Sequence, residues 1–521
     1  MVEITCYGGV NEIGGNKILV EFNKGSIFLD FGKSFKEEGH FFEEFLQPRS
    51  KSGFYDLSIL NILPKINGLY RQDALCPEGF SVCDQKSLPY WQTPLKSYES
   101  AVKDKDPVPD AVFISHGHLD HCGYVGYLGP IPLYCSSETQ TLIKAIDDVG
   151  NLTGFESEIV KTKKRIVKQR KPPNKRGFFP LSYYVSSEKP IGRIFNSLSD
   201  GEEQNTANDI SITGFHVSHS VPGALISLIE ADGKQILYTG DIRFHGRNNP
   251  DLSRLTGLKP DLMITEGTNI ADDTPDDENR VKEDIKAHIS DTDSLVMVGF
   301  AWKDIERYET VREAAIEEGR IPVFDPRLAY TLARFNRNIY DEDAKVFLER
   351  CDSMIYTPGD YSTPKHKIGL MDYEDWSSNP ETRNTDITHL TEGITALDIQ
   401  REPSAYVLHL DFYRFKNLLD IGPLPGSTYI RAQCEPFNKR MELSEERMLH
   451  WLTFFKINQE NEHKPYQCHA SGHACGPDLL EFIEHVNPKT VIPIHTERPD
   501  LFESPKWITK KPDYGVPITL H

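Results

Sequence analysis

The 521-residue chain is 38% hydrophobic and 26% charged, a balance that suits a folded globular protein and excludes a disordered or fibrous one. No apolar run reaches membrane-spanning length, and Met1-Val2-Glu3-Ile4-Thr5 lacks the basic-then-apolar pattern of a secretion signal. A formal net charge of −20 excludes a uniformly basic nucleic-acid binder, so any contact with a polyanion has to be concentrated locally. Nine cysteines without a Cys-x-x-Cys pair point to a reduced, cytoplasmic setting in place of a disulfide framework.

In chain order, Ile4 to Tyr7, Lys17 to Phe22 and Ser26 to Gly32 read as three strands, separated by the loop Gly8 to Asn16 and an Asn-Lys-Gly turn. Asp30 ends an apolar strand, where a carboxylate needs a partner. That partner is either the second N–H of a metal-bound histidine or a local turn amide. Lys33 to about Asp110 reads as an insertion placed to cover a site; its Cys76 and Cys83 are badly spaced for a zinc knuckle. The apolar run Ala111 to Ser115 then leads into His116-Gly117-His118-Leu119-Asp120-His121. Neutral imidazole and carboxylate are the donors a divalent ion accepts, and four of them here follow a buried-looking strand.

A helix is expected to start in Leu119 to Leu128, a strand at Pro132 to Cys135, and a Ser-capped helix over Ser137 to Val149. Lys161 to Lys171, continuing to Lys175-Arg176, is the most basic window. It is either a polyanion contact or a solvated loop. Strands ending on His219, Asp241 and Glu266 follow, with Asp232-Gly233 as a hairpin turn. From about Asp273 a βαβ rhythm predicts a second parallel sheet: helices over Glu278 to Ser290, Lys303 to Glu318 and Arg327 to Asn338, strands at Leu295 to Val298 and Ile321 to Phe324. After a Pro/Asp/Thr-rich stretch near residues 357–395 come strands at Tyr406 to Leu408 and Ser427 to Ile430, and a helix over Ser444 to Lys456. Histidines return in Gln467 to Gly476, before a helix from Pro477 to His485 and a strand that delivers His495.

Taken in this order, His116-x-His118-x-Asp120-His121, His219 and Asp241 resemble the metallo-β-lactamase signature. Glu266, Ser471-Gly472-His473 and Pro493-Ile494-His495 are similar to the added motifs of the β-CASP nucleases. Gly8-Gly9-Val10-Asn11-Glu12-Ile13-Gly14 and Leu29-Asp30-Phe31-Gly32 resemble the ribonuclease J-like branch. The resemblance implies an α/β fold: a metallo-β-lactamase αββα sandwich over 1–272 with an insertion at about 33–110, an inserted β-CASP α/β domain over 273–464, and a return to the sandwich over 465–521.

It also implies two divalent ions, one on His116, His118 and His219, the other on Asp120, His121 and His495, with Asp241 bridging. Zinc is expected and manganese is the alternative, because nitrogen and oxygen donors suit both. Ions about 3.5–4 Å apart would share a hydroxide that attacks phosphorus. Catalytic roles fall to Asp120, His473, Glu266 and Asp30. Substrate contacts fall to Ser471, Gly472 and His473, where glycine lets the main chain approach a phosphate and His473 steadies it or protonates the leaving oxygen. The implied activity is hydrolysis of RNA, as a 5′–3′ exonuclease and/or an endonuclease, in the cytoplasm and away from membranes. A homo-oligomer is compatible with it. Two other readings stay open: a hydrolase of a small phosphoester or other ester, and a non-catalytic RNA-binding scaffold.

Overall fold

The computed structural model describes residues 1–43, 45–49, 53–76, 95–150, 152–169, 183–274, 277–348, 393–434 and 439–520. Apolar alternation along the strands builds two sheets that share one inner face. In Lys17–Glu21 and Ser26–Phe31, Ile18, Val20, Ile27 and Leu29 point inward, and Leu19 and Phe28 point outward. Side chains of a strand alternate between faces, so this pattern feeds two different cores. The first sheet runs, edge to edge, Phe195–Ser197, Leu133–Cys135, Ala111–Phe113, Ser26–Phe31, Lys17–Glu21, Val2–Cys6, Pro517–Leu520. The second runs Glu203–Asn205, Ser211–His216, Leu225–Ala231, Lys234–Tyr238, Leu262–Thr265, Thr490–Pro493, Ile508–Thr509.

Ile212, Ile229, Ile236 and Ile264 of the second sheet meet the inward residues of the first. On one outer face lie Tyr124, Val125 and Ile143; on the other lies the helix Gly476–Val486, through Leu479, Phe482 and Ile483. Helix, sheet, sheet, helix is therefore the layering of this part. The hairpin turn expected at Asp232-Gly233 is present, with φ of 54° and 70°, as the right-handed twist of paired strands requires.

The described helices of the segment expected to cover the site pack elsewhere, and residues 77–94 lie outside the described residues. Its helices Gly53–Ile59 and Gln72–Leu75 put Phe54, Leu57 and Ala74 against Phe28, Phe31 and Tyr127, on the far side of the first sheet. Among its described residues, the first turn reaches the edge of the site, where Lys36 Nζ donates to Asn11 O (3.0 Å) and Glu497 Oε1 (2.8 Å). Cys83 lies outside the described residues. The predicted helix at Leu119 to Leu128 is two short pieces, Leu119–Cys122 and Val125–Tyr127, divided at Gly123. The basic window is partly spent on the core. Arg165 is buried, pairs with Glu158 at 2.9 Å and stacks 3.4 Å above the Phe155 ring. Residues 170–176 of that window lie outside the described residues, as do residues 351–392.

The third sheet is parallel throughout, in the order Ile394–Thr395, Lys345–Leu348, Ile321–Phe324, Tyr406–His409, Val296–Gly299, Thr428–Arg431, Tyr466–Gln467. Its strands are buried on both faces: Val296 and Val298 face one core, Met297 and Leu295 the other. Such strands read as continuous apolar runs. Helix Glu278–Ser290 is capped by Asp277 and buries Val281, Ile285 and Ile289, one turn apart. Leu142, Ala145, Ile146 and Val149 of helix Ser137–Val149 share a core with Tyr330 and Leu332 of helix Pro326–Arg334, joining this sheet to the sandwich. The chain returns to the sandwich after Gln467.

Candidate metal centre

The strand ends of both sandwich sheets converge at one rim. Asp30 ends Ser26–Phe31 with φ 58°, fully buried, and accepts four hydrogen bonds: from Ser115 N (2.7 Å), Ser115 Oγ (2.8 Å), Tyr238 Oη (2.5 Å) and His121 Nδ1 (2.7 Å). Of the two partners expected for this carboxylate, it has the histidine, plus an amide from the neighbouring strand end. Fixing Nδ1 of His121 aims its Nε2 inward, 3.2 Å from Asp241 Oδ2 and 3.7 Å from Asp120 Oδ2.

Each of three further imidazoles is also held by its second nitrogen, the arrangement that orients metal-binding histidines. His116 Nδ1 lies 3.1 Å from Ser115 Oγ, His219 Nδ1 donates to Gly472 O at 2.5 Å, and His495 Nδ1 lies 2.8 Å from Thr268 Oγ1. Their Nε2 atoms point the same way. His116 Nε2 is 3.0 Å from His118 Nδ1 and 3.6 Å from Asp241 Oδ2; His219 Nε2 is 3.2 Å and 3.7 Å from the same two atoms. His495 Nε2 is 3.4 Å from Asp120 Oδ2 and 3.6 Å from Asp241 Oδ1.

Donors bound tetrahedrally at about 2.0–2.1 Å are separated by about 3.3 Å, so these spacings suit ligand sets gathered round an ion. Two such sets form, His116/His118/His219/Asp241 and Asp120/His121/His495. Inside them, the buried His121 Nε2 and Asp241 Oδ1 have no hydrogen-bond partner among the described residues. Groups of that kind are costly unless something else binds them. The residues present fit divalent metal.

The electrostatics agree. Burial holds His116, His118 and His219 below the ordinary imidazole range, His219 at about 4, which leaves neutral donors. Burial alone would raise Asp120 and Asp241, but facing His121 and His495 outweigh it and keep both ionised. His121 is the exception: burial opposes its charge, but Asp241, Asp30 and Asp120 push it well up. A cation at its Nε2 would displace a proton, the usual coupling of metal binding to pH.

A third grouping, Asp241, Glu266, His473 and His495, is also compact. Glu266 is already engaged, however. It accepts from Ile242 N (3.0 Å), Thr268 N (3.1 Å) and His473 Nδ1 (3.0 Å). It therefore orients His473, whose ring centroid lies 5.2 Å from that of His219 and 5.5 Å from that of His495. Burial disfavours the His473 imidazolium, but Glu266 and Asp241 outweigh it and raise the pKa to about 9. Ser471 and Gly472, expected as phosphate contacts, are bound into the scaffold. Ser471 Oγ accepts from Asn269 Nδ2 (2.8 Å) and His473 N (3.1 Å), and the Gly472 carbonyl holds His219. A Cβ on Gly472 would come within 3.0 Å of His219 Cε1 and Ser220, which is why glycine stands there.

Several supporting residues carried no clear signal in the sequence. Thr268 orients His495, and Tyr238 the Asp30 carboxylate that holds His121, each through a single hydroxyl. Gly14, at φ 82°, lets the Gly8–Asn16 loop pass under Asp120, where a Cβ would lie 2.7 Å from its Oδ2. In the same loop Gly9 O accepts His495 N at 2.7 Å, and Asn16 N donates to Asp120 O at 3.0 Å.

A family model described as a Zn-dependent metallo-hydrolase RNA specificity domain matches residues 464–511, the stretch that carries His473 and His495. Ribonuclease J of Pyrococcus abyssi is 22% identical over 515 residues, covering 95% of this chain and 90% of the relative. An RNase J-like protein of Methanocaldococcus jannaschii is 30% identical over 169 residues, covering 32% of this chain and 33% of the relative. Transcription termination factor FttA of Methanococcus maripaludis is 27% identical over 177 residues, 32% of this chain and 23% of that protein. A crystal structure of a protein of unknown function from Enterococcus faecalis V583 has the same fold, with a TM-score of 0.65 at 20% identity over 99% of both chains.

Fold and site together define a metal-dependent hydrolase of the metallo-β-lactamase/β-CASP class. Within that class, the chain resembles ribonuclease J over nearly its whole length.

Proposed function

We propose that this chain hydrolyses phosphodiester bonds in RNA, by 5′–3′ exonucleolytic and/or internal cutting. The observation that carries the reading is that Asp241 belongs to the His116/His118/His219 set and also lies 3.2 Å from His121 Nε2 and 3.6 Å from His495 Nε2, with buried unpartnered donor atoms at His121 and Asp241 among the described residues. In this reading His116, His118 and His219 hold one divalent ion, Asp120, His121 and His495 a second, and Asp241 both. Zinc fits the donors, as does manganese. Such a pair, when bound, supplies Lewis acidity and a water acidic enough to be a nucleophile near neutral pH. The sandwich of residues 1–272 and 465–521 carries the ligands, and the inserted 273–464 domain closes over them.

The rest is done by the chain's own groups. Asp30 fixes the His121 ring and, through Ser115, the turn that carries His116. Glu266 keeps His473 oriented and charged, so its Nε2 is the proton donor for the leaving 3′ oxygen. Ser471 and Gly472 serve the phosphate by holding that histidine and His219 in register. Beside His473 lies a cleft of about 370 Å³, lined by Asn269, Asp272, Asp273 and Thr274. Its carboxylates disfavour a second phosphate there and favour the sugar or base side of a nucleotide. Cys6, Cys122, Cys135, Cys434, Cys468 and Cys475 form no disulfide among the described residues, which fits a reducing compartment. A homo-oligomer is proposed from the ribonuclease J resemblance and is read by sedimentation.

Incubating the zinc- or manganese-loaded protein with 5′-monophosphorylated linear RNA and with circular RNA tests the reading. Mononucleotide release from the linear RNA defines exonucleolytic cutting, and opening of the circle defines internal cutting. Intact RNA of both kinds, alongside turnover of bis(p-nitrophenyl) phosphate, would replace it with a small-ester hydrolase.

A further inference from the structure

The inserted sheet brings a cation to the metal centre. Lys303 lies in the loop that follows Val296–Gly299, an inner strand of the parallel sheet. Loops beyond the carboxyl ends of parallel strands are where open α/β sheets place ligand-binding groups. This loop is rigid: Asp304 N donates to Ala301 O at 2.8 Å, and the Asp304 carboxylate caps helix Ile305–Glu317 by accepting from Arg307 N at 2.9 Å.

The loop is also fixed to the ligand-bearing turns from two sides. Trp302 shares a core with Leu142, Val221 and Leu119, and Leu119 sits between His118 and Asp120. Glu306 Oε2 accepts from Arg243 Nη2 at 2.5 Å and Arg247 N at 3.1 Å. Arg243, two residues past Asp241, donates in addition to Ser218 Oγ (3.2 Å), next to His219, and to Ser471 O (3.3 Å), near His473. Lys303 itself is partly buried, and among the described residues no acceptor or carboxylate pairs with its ammonium. Its charge is nonetheless felt at His118 and at Asp120. Burial makes an ammonium with no hydrogen-bonded acceptor among the described residues costly, and a bound anion would offset that cost.

We propose that Lys303 is a further catalytic residue, whose ammonium binds a non-bridging oxygen of the scissile phosphate. The proposal rests on the ribonuclease reading above. In the hydrolysis the water oxygen bonds to phosphorus and the P–O3′ bond breaks. Its electron pair goes to the 3′ oxygen, which takes a proton from His473. Lys303 stays an ammonium throughout and answers the negative charge that gathers on the equatorial oxygens.

The test compares the full-length, metal-loaded protein with Lys303→Met and Lys303→Arg on a 5′-monophosphorylated RNA oligonucleotide. Removing one preorganised donor should lower kcat/KM of Lys303→Met by about 100-fold, with Lys303→Arg keeping most of the activity. A second readout is equilibrium binding of a cleavage-resistant phosphorothioate RNA across a salt series. Loss of one phosphate contact should make the slope of log K against log salt shallower by about 0.7 for a single strand. Unchanged kcat/KM and an unchanged slope would overturn the proposal. So would loss of bound metal or of thermal stability in both variants, since that would make Lys303 structural. If the wild-type protein neither cleaves nor binds RNA, it is the ribonuclease reading that fails, a result distinct from both.

Discussion

Carboxylates collect close to strand ends in two places, and they are neutralised differently. At the sandwich rim Asp241 and Asp120 face imidazoles. At the carboxyl edge of the inserted sheet Asp325 faces guanidiniums. Arg327 Nε lies 3.0 Å and Arg414 Nε 3.1 Å from it, and Arg327 also reaches Asp411 at 3.0 Å. An imidazole gives up its proton near neutrality, so an external cation can take its place. A guanidinium keeps its charge at every accessible pH, so its carboxylate is closed to other ions. The same architectural position is thus left exchangeable in one sheet and sealed in the other.

The contrast is broken most severely at the shared ligand. Asp241→Ala should cost more than about 1000-fold in RNA cleavage, with bound metal lost by elemental analysis and circular dichroism unchanged. In the sealed cluster the loss should appear in stability. Asp325→Asn keeps the oxygen that caps helix Pro326–Arg334 but removes the carboxylate charge shared by Arg327 and Arg414, and denaturant unfolding should show about 3 kcal/mol lost with metal content intact.

The cluster also carries a pH signature. Burial would raise the Asp325 carboxyl, but Arg327 and Arg414 outweigh it and hold the pKa well below the usual range. A depressed folded-state value adds stability above the unfolded pKa, near about 4, and that stability is lost as pH falls through the folded value. Unfolding free energy should therefore drop below about pH 4 in the wild type and drop less steeply in Asp325→Asn. Asp30→Asn should lower metal affinity by about 10- to 100-fold, read by competition with a chelator, because it frees the His121 ring. The smallest effect is expected for Thr268→Val, which removes one hydroxyl from His495 and should cost about fivefold in activity, the worth of a single hydrogen bond.

Side chains with a distinctive chemistry announced themselves in the sequence; supports made from the main chain did not. His116, His118, Asp120 and His121 are dense enough to read directly, and His219, Asp241, Glu266 and His495 follow because each ends an apolar strand. Asp30 was legible as a carboxylate in need of a partner, and its histidine partner is the one found. The Gly472 carbonyl that orients His219 was not legible, because a carbonyl belongs to every residue. Lys303 was hidden for a different reason. A lysine ahead of a helix is ordinary until the fold shows that it has no hydrogen-bonded partner among the described residues and that His118 and Asp120 feel it. Arg165 looked like part of a basic surface, yet Glu158 and Phe155 make it a core residue. The segment beyond Lys33 was opaque because its apolar residues follow no single period; they pack on a sheet formed by strands on either side of it.

The strand Thr490–Pro493 pairs with Leu262–Thr265, and the histidine just beyond it, His495, stands 375 residues after Asp120. On the ribosome this timing matters. The first ligand loop emerges and packs long before its partner exists, and the whole inserted sheet must be made in between. Until His495 arrives, the nascent chain holds an incomplete cage. A centre built this way is complete only after the whole inserted sheet has been made.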